Sequence, residues 1–162
     1  MTDGVTYFYK LSAKDSVGNY SSLTSAVSAT IDVSSPSVPT SVTATATGTS
    51  IALAWVNPTA SDFHSVKIQR STTLGGTYSD VTSNVRGTTY TNSSLTDGTT
   101  YFYKLSAKDS VGNYSSLTSA VSARIDISAP DVPKIHVAKD SINGKTILLS
   151  WKVPHTTHSF YL

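Results

Sequence analysis

The chain contains no cysteine and no glutamate in 162 residues, a single methionine, and few charges, at 14%. The missing cysteine excludes disulfide stapling, thiol catalysis and cysteine-ligated zinc. Every acid is an aspartate. Aspartate favours turns where glutamate favours helices, so the bias argues for many turns and few helices. A paired-carboxylate glycosidase site would need two aspartates together, and those here sit singly in expected turns and linkers. A net charge of +2 is too small to point to nucleic acid or an anionic membrane. No apolar run approaches the roughly 20 residues that span a bilayer. No leader pattern follows Met1, so if the protein is exported the signal is expected upstream of this sequence. There is no G-x-S-x-G, phosphate loop or dinucleotide fingerprint.

What the chain does have is a long internal repeat. Residues 2–39 and 96–133 are the same at a spacing of 94 residues, apart from five positions: Val5/Thr99, Thr30/Arg124, Val33/Ile127, Ser35/Ala129 and Ser37/Asp131. A fixed period of self-similarity marks an array of modules.

Between turn signals the residues of one period alternate as strands do. Val42, Ala44 and Ala46 share one face, and Gly48 turns the chain. Ile51, Leu53 and Trp55 form the next apolar row, ended by Asn57-Pro58. Val66 and Ile68 follow, then a Gly75-Gly76 turn, Tyr78 and Val81, and a short run around Tyr90. Tyr101, Tyr103, Leu105 and Ala107 line one side of the longest strand, with Phe102, Lys104, Ser106 and Lys108 on the other. Residues 109–113 read as a turn and residues 117–127 as the last strand. Seven short strands without a helical period predict an all-β, immunoglobulin-like Greek-key sandwich whose two sheets share one core. Its expected core residues are Trp55, Tyr90, Leu95, Tyr101, Tyr103 and Leu105, with Trp55 and Tyr90 near the centre.

The order and spacing of Pro39, Trp55, Leu95-x-x-Gly98-Thr99-x-Tyr101, and the run from Tyr101 through Asp109, Gly112, Asn113 and Ser115 resemble a fibronectin type III domain of the bacterial kind. The resemblance implies that Tyr101 is the tyrosine corner, whose hydroxyl ties the loop before the sixth strand to the backbone. The sequence departs from the family at the integrin-binding RGD: the loop at 109–113 lacks it, and Arg86-Gly87-Thr88 lies elsewhere.

Laying the copies over each other predicts one complete module at 36–129. It is flanked by the last two strands of another at 1–35 and the first strands of a third at 130–162. In the third, Trp151-x-x-Pro154 aligns with Trp55-x-x-Pro58 and a longer hairpin turns at Asn143-Gly144, so the chain stops inside a third strand. The plain reading is a piece of a longer array. A sharper one is head-to-tail complementation of the partial modules between chains, giving a filament. The linkers at 32–39 and 126–133 each carry two prolines and no glycine, which predicts a semi-rigid rod.

The remaining candidates for chemistry are weak. His155-x-x-His158 has a ligand-like spacing but no nearby carboxylate or thiolate, and Asp109 with Gly112-Asn113 reads as a tight turn. Phe102 and Tyr114, and Tyr20 in the first copy, are candidate surface aromatics for stacking on sugars. Asn19, Asn92 and Asn113 each open a formal glycosylation sequon. No cofactor, metal or catalytic residue is expected. The leading functional reading is a non-catalytic spacer or adhesion module of a surface, fibre or phage-tail protein. The alternative is an accessory segment of a secreted polysaccharide-degrading enzyme. Expected partners are neighbouring modules or chains of the same type, with a glycan or surface protein as a third reading. The expected location is extracellular, at a cell surface or on a virion.

Overall fold

The structure is a computed structural model that describes residues 1–132, 134–140 and 147–152, the last two stretches as backbone. Among the described residues there is no helix long and apolar enough to cross a membrane. The chain divides into two compact units, Met1–Ile125 and Asp126–Leu162. The turn at Asn143-Gly144, Pro154, the His155/His158 pair and the proposed stop in a third strand lie outside the described residues.

In the first unit, alternation builds the strands. β1 (Thr6–Tyr9) and β2 (Val27–Thr30) form an antiparallel hairpin of their own. β3 (Thr40–Thr47), β4 (Ser50–Val56) and β7 (Thr89–Asn92) form a three-stranded sheet in the order β3-β4-β7. β5 (Phe63–Ser71), β6 (Ser79–Val85), β8 (Thr100–Asp109) and β9 (Val121–Arg124) form a four-stranded sheet in the order β6-β5-β8-β9. In the second unit β10 (Lys134–Asp140) and β11 (Ile147–Lys152) pair antiparallel.

The two larger sheets close over one apolar core. β4 contributes Ile51, Leu53 and Trp55, β5 contributes Val66 and Ile68, and β8 contributes Tyr101, Tyr103 and Leu105. Leu95 and Ile125 complete the buried set. Tyr90 packs half-buried against this cluster and is not at its centre. Val42, Ala44 and Ala46 of β3 cover it from the edge.

Two local features differ from the sequence expectation or extend it. The last strand is shorter than 117–127: only Val121–Arg124 pairs as a strand. Before it, hydroxyls replace the ladder. The Ala107 N–H donates to Ser115 Oγ (2.9 Å) and the Leu105 N–H to Thr118 Oγ1 (3.0 Å), while the Ser115 and Thr118 amides donate back to the carbonyls of Ala107 and Leu105. Such side-chain bonds satisfy the β8 backbone without regular β geometry. At the other end of β8, the Thr96 N–H donates to the Tyr101 hydroxyl at 3.1 Å. Gly98, at φ +73, makes the tight turn that brings them together.

The packing sets two expected outcomes for denaturant melts. Trp55 is buried and donates its indole N–H to Asn57 Oδ1 at 2.7 Å, so Trp55→Ala should cost about 3–5 kcal/mol by leaving a cavity. Tyr101→Phe should cost about 1–3 kcal/mol by orphaning the Thr96 amide. Melts of both variants that overlay the parent would refute this core.

Candidate functional site: the joint between hairpin and sandwich

Within the first unit, the β1–β2 hairpin meets the β3–β9 sandwich through residues 32–39, and polar groups gather there. The receiving surface is the loop that follows β8. Asp109 is fully buried, and its Oδ1 accepts the amides of Val111 (3.0 Å), Gly112 (2.6 Å) and Asn113 (2.8 Å). Gly112, at φ +114, allows this curl. Asn113 Nδ2 donates to Asp109 Oδ2 at 2.7 Å and reaches the carbonyls of Asp32 and Ser34, at 3.3 Å each. The loop is also sewn to the turn before β5, where the Ser110 N–H donates to the Asp62 carbonyl at 2.9 Å.

The hairpin holds the same segment from its own side. Asp3 Oδ1 accepts the Val33 amide at 2.9 Å, and the Ser34 hydroxyl donates to Asp3 Oδ2 at 2.6 Å. These bonds hold the Asp3 carboxyl below the ordinary carboxylate range, the Ser34 hydroxyl contributing most. Pro36 and Pro39 are both buried, which fixes the backbone beyond the polar contacts.

Burial by itself pushes the Asp109 carboxyl up. The bonds from the Asn113 side chain and amide, and from the amides of Gly112 and Val111, outweigh it and hold the group below the ordinary range. Asp109 is also one of three carboxylates, with Asp32 and Asp62, that place an oxygen each within 4.8 Å of one another. That spacing suits a hard cation. Both Asp109 oxygens are already engaged by amides, however, which makes this residue a loop anchor.

The other sequence candidates are scattered. Phe102 is half-buried on the outer face of β8. The ring of Tyr114 has the ammonium groups of Lys67 and Lys108 at 5.4 and 5.7 Å from its centroid, a cation–π arrangement that occupies a face a sugar would need. Tyr20 has Lys14 at 5.3 Å. All three sequon asparagines have hydrogen-bond partners, Asn19 through Asp15 at an exposed site. Asn113 is in the joint, and Asn92 is buried, its Oδ1 accepting from Arg70 Nη1 (2.8 Å) and the Tyr103 hydroxyl (3.1 Å). Burial pushes the Tyr103 hydroxyl up to about 12, against a smaller opposing pull from Arg70. Sequence reasoning singled out the Asp109 turn but missed the role of Asn113, and it missed the Arg70–Asn92–Tyr103 network entirely.

Comparison with solved structures decides the architecture. The three-domain FN1–FN3 fragment of chicken CNTN1 matches at a TM-score of 0.58 with 18% identity, over 78% of this chain and 44% of that one. The sandwich has the fibronectin type III fold. No protein-family model matches the chain. Among curated proteins, this chain is similar to Chitinase A1 of Niallia circulans. They are 32% identical, over 97% of this chain and 24% of that protein. It is also 32% identical to Endoglucanase B of Cellulomonas fimi, over 93% of this chain and 15% of that protein. The chain thus spans a quarter or less of these relatives.

The charge state of Asp109 yields an acid-stability prediction. Its depressed carboxyl contributes stability that is whole above the unfolded value of about 3.9 and is lost as pH falls through the lower folded value. Melting temperature followed from pH 6 to pH 2 should therefore fall less steeply in Asp109→Asn than in the parent. Equal slopes would mean that the charge contributes nothing to the loop.

Proposed function

We propose that this chain is a non-catalytic accessory segment of a secreted polysaccharide-degrading enzyme, in which fibronectin type III modules space the catalytic part from other domains. The observation that carries this reading is similarity along nearly the whole chain to a small part of a chitinase and of an endoglucanase. The shared part is far shorter than either protein. It also fits the absence from the sequence of any nucleophile, phosphate-loop or dinucleotide motif. A joint held from both sides suits a spacer better than a loose tether.

The spacer of a surface, fibre or phage-tail protein makes the same mechanical use of the module and differs in what the module is attached to. The relatives favour the enzyme context, and they lend no weight to an adhesin or a filament. Direct sugar binding through Tyr114 is disfavoured by the lysines over its ring. The expected location is extracellular and the expected partners are neighbouring modules of the same protein.

The test is the gene around this segment, together with assays of the chain itself. The expected result is a polysaccharide-cleaving domain in the same reading frame, and no release of sugar from chitin or cellulose by the chain alone. A frame holding only further repeats and a wall anchor would overturn the enzyme context. Sugar release by the isolated chain would overturn the accessory role.

A further inference from the structure

The loop after β8 occurs twice with one sequence, and only one copy has a linker seated on it. Residues 15–19 and 109–113 both read Asp-Ser-Val-Gly-Asn. Both curl around the aspartate: Asp15 Oδ1 accepts the amides of Val17 (3.0 Å) and Asn19 (2.9 Å), and Asn19 Nδ2 donates to Asp15 Oδ2 at 2.9 Å. The loop shape is therefore made by the loop itself. Asn19 is exposed, whereas Asn113 is half-buried and reaches two further acceptors, the carbonyls of Asp32 and Ser34.

We propose that this loop is a docking surface for the linker that enters the module, and that with Asp3 it clamps residues 32–34 so that successive modules are held at a fixed angle. The partner it fits is an extended Asp-x-Ser-x-Pro segment. Two main-chain carbonyls of that segment point to the asparagine amide. An amide and a hydroxyl point to an aspartate of the module before, and the proline seats next to them. The two bonds from Asn113 are long, at 3.3 Å, and weak taken singly. They act together with the short Asp3 bonds and the buried Pro36, on a segment whose two ends are already tethered. The motif elements recur together in the sequence: Asp3/Asp97, Asp32/Asp126, Ser34/Ser128 and Pro36/Pro130 are all the same in both copies, while the neighbouring Val33/Ile127, Ser35/Ala129 and Ser37/Asp131 differ. Every side chain that bonds in the joint is the same in both copies, and Val33, which bonds through its main-chain amide, is replaced by Ile127 in the second. The inference concerns module geometry and holds whatever the array is attached to.

The test is ¹⁵N relaxation on the whole chain, comparing order parameters of Val33 and Ser34 with those of β8 in the same spectra. In the parent both linker amides should match rigid backbone, at about 0.85. Asn113→Ala and Asp3→Ala should each lower them, toward about 0.6 or below. Asp3 lies outside the sandwich, so its variant leaves the β8 values as an internal check of folding. Asn19→Ala removes the same intraloop bond from the copy that seats no linker, and should leave Val33 and Ser34 unchanged. A linker already mobile in the parent would overturn the clamp. So would a linker still rigid in both clamp variants, or one loosened equally by Asn19→Ala.

Discussion

One strand depends on its neighbours more than any other element, and the rest of the sandwich is arranged around it. β8 sends Tyr101, Tyr103, Leu105 and Ala107 inward, all buried. It lies between β5 and β9, bonded to both. Fully burying a large apolar side chain contributes on the order of 1.5–3 kcal/mol, so this row outweighs any single polar contact in the module. The chain carries its own control. Residues 100–123 are repeated without change as residues 6–29, and there the row lacks β5 and the opposing sheet. Tyr9 is 46% exposed and Leu11 72%, against 0% for Tyr103 and Leu105. Identical sequence gives a core in one place and an apolar surface in the other. A two-stranded hairpin by itself is marginal in water.

The polar features follow from what the core leaves unsatisfied. The end of β8 presents backbone groups that the regular ladder does not pair, and Ser115, Thr118 and the Asp109 loop meet them. At the other pole the Tyr101 hydroxyl takes the Thr96 amide, and Asn92 joins Arg70 to Tyr103. Among the described residues no buried side-chain polar atom lacks a partner, as a well-formed core requires. The joint is an extension of this pattern, because the one side-chain amide hydrogen of Asn113 that Asp109 does not take is shared between two linker carbonyls.

How far the sequence disclosed all this depended on the range of the interaction. Rows with period two announce themselves, so β4 with Trp55 and β8 with Tyr103 could be read directly. The tyrosine corner was legible through resemblance, and the structure supplies its bond. The end of the last strand was overread, because hydroxyl-to-backbone bonds at Ser115 and Thr118 keep an extended chain without a strand's ladder. The joint was visible only as stiff prolines. Its bonds link residues about 80 apart through one amide group, and no local pattern encodes that. Asn92 looked like a surface sequon because burial of its side chain requires Arg70 and Tyr103 to converge from two other strands.

The central claim is that tertiary partners, and not local sequence, make β8 a core strand. Hydrogen exchange on the intact chain tests it with the sequence held constant, by comparing the amides of Tyr103 and Leu105 with those of Tyr9 and Leu11. For a module of ordinary stability, about 5 kcal/mol or more, the β8 amides should be protected on the order of a thousandfold better than their twins in the hairpin. Equal protection of the two copies would contradict the account.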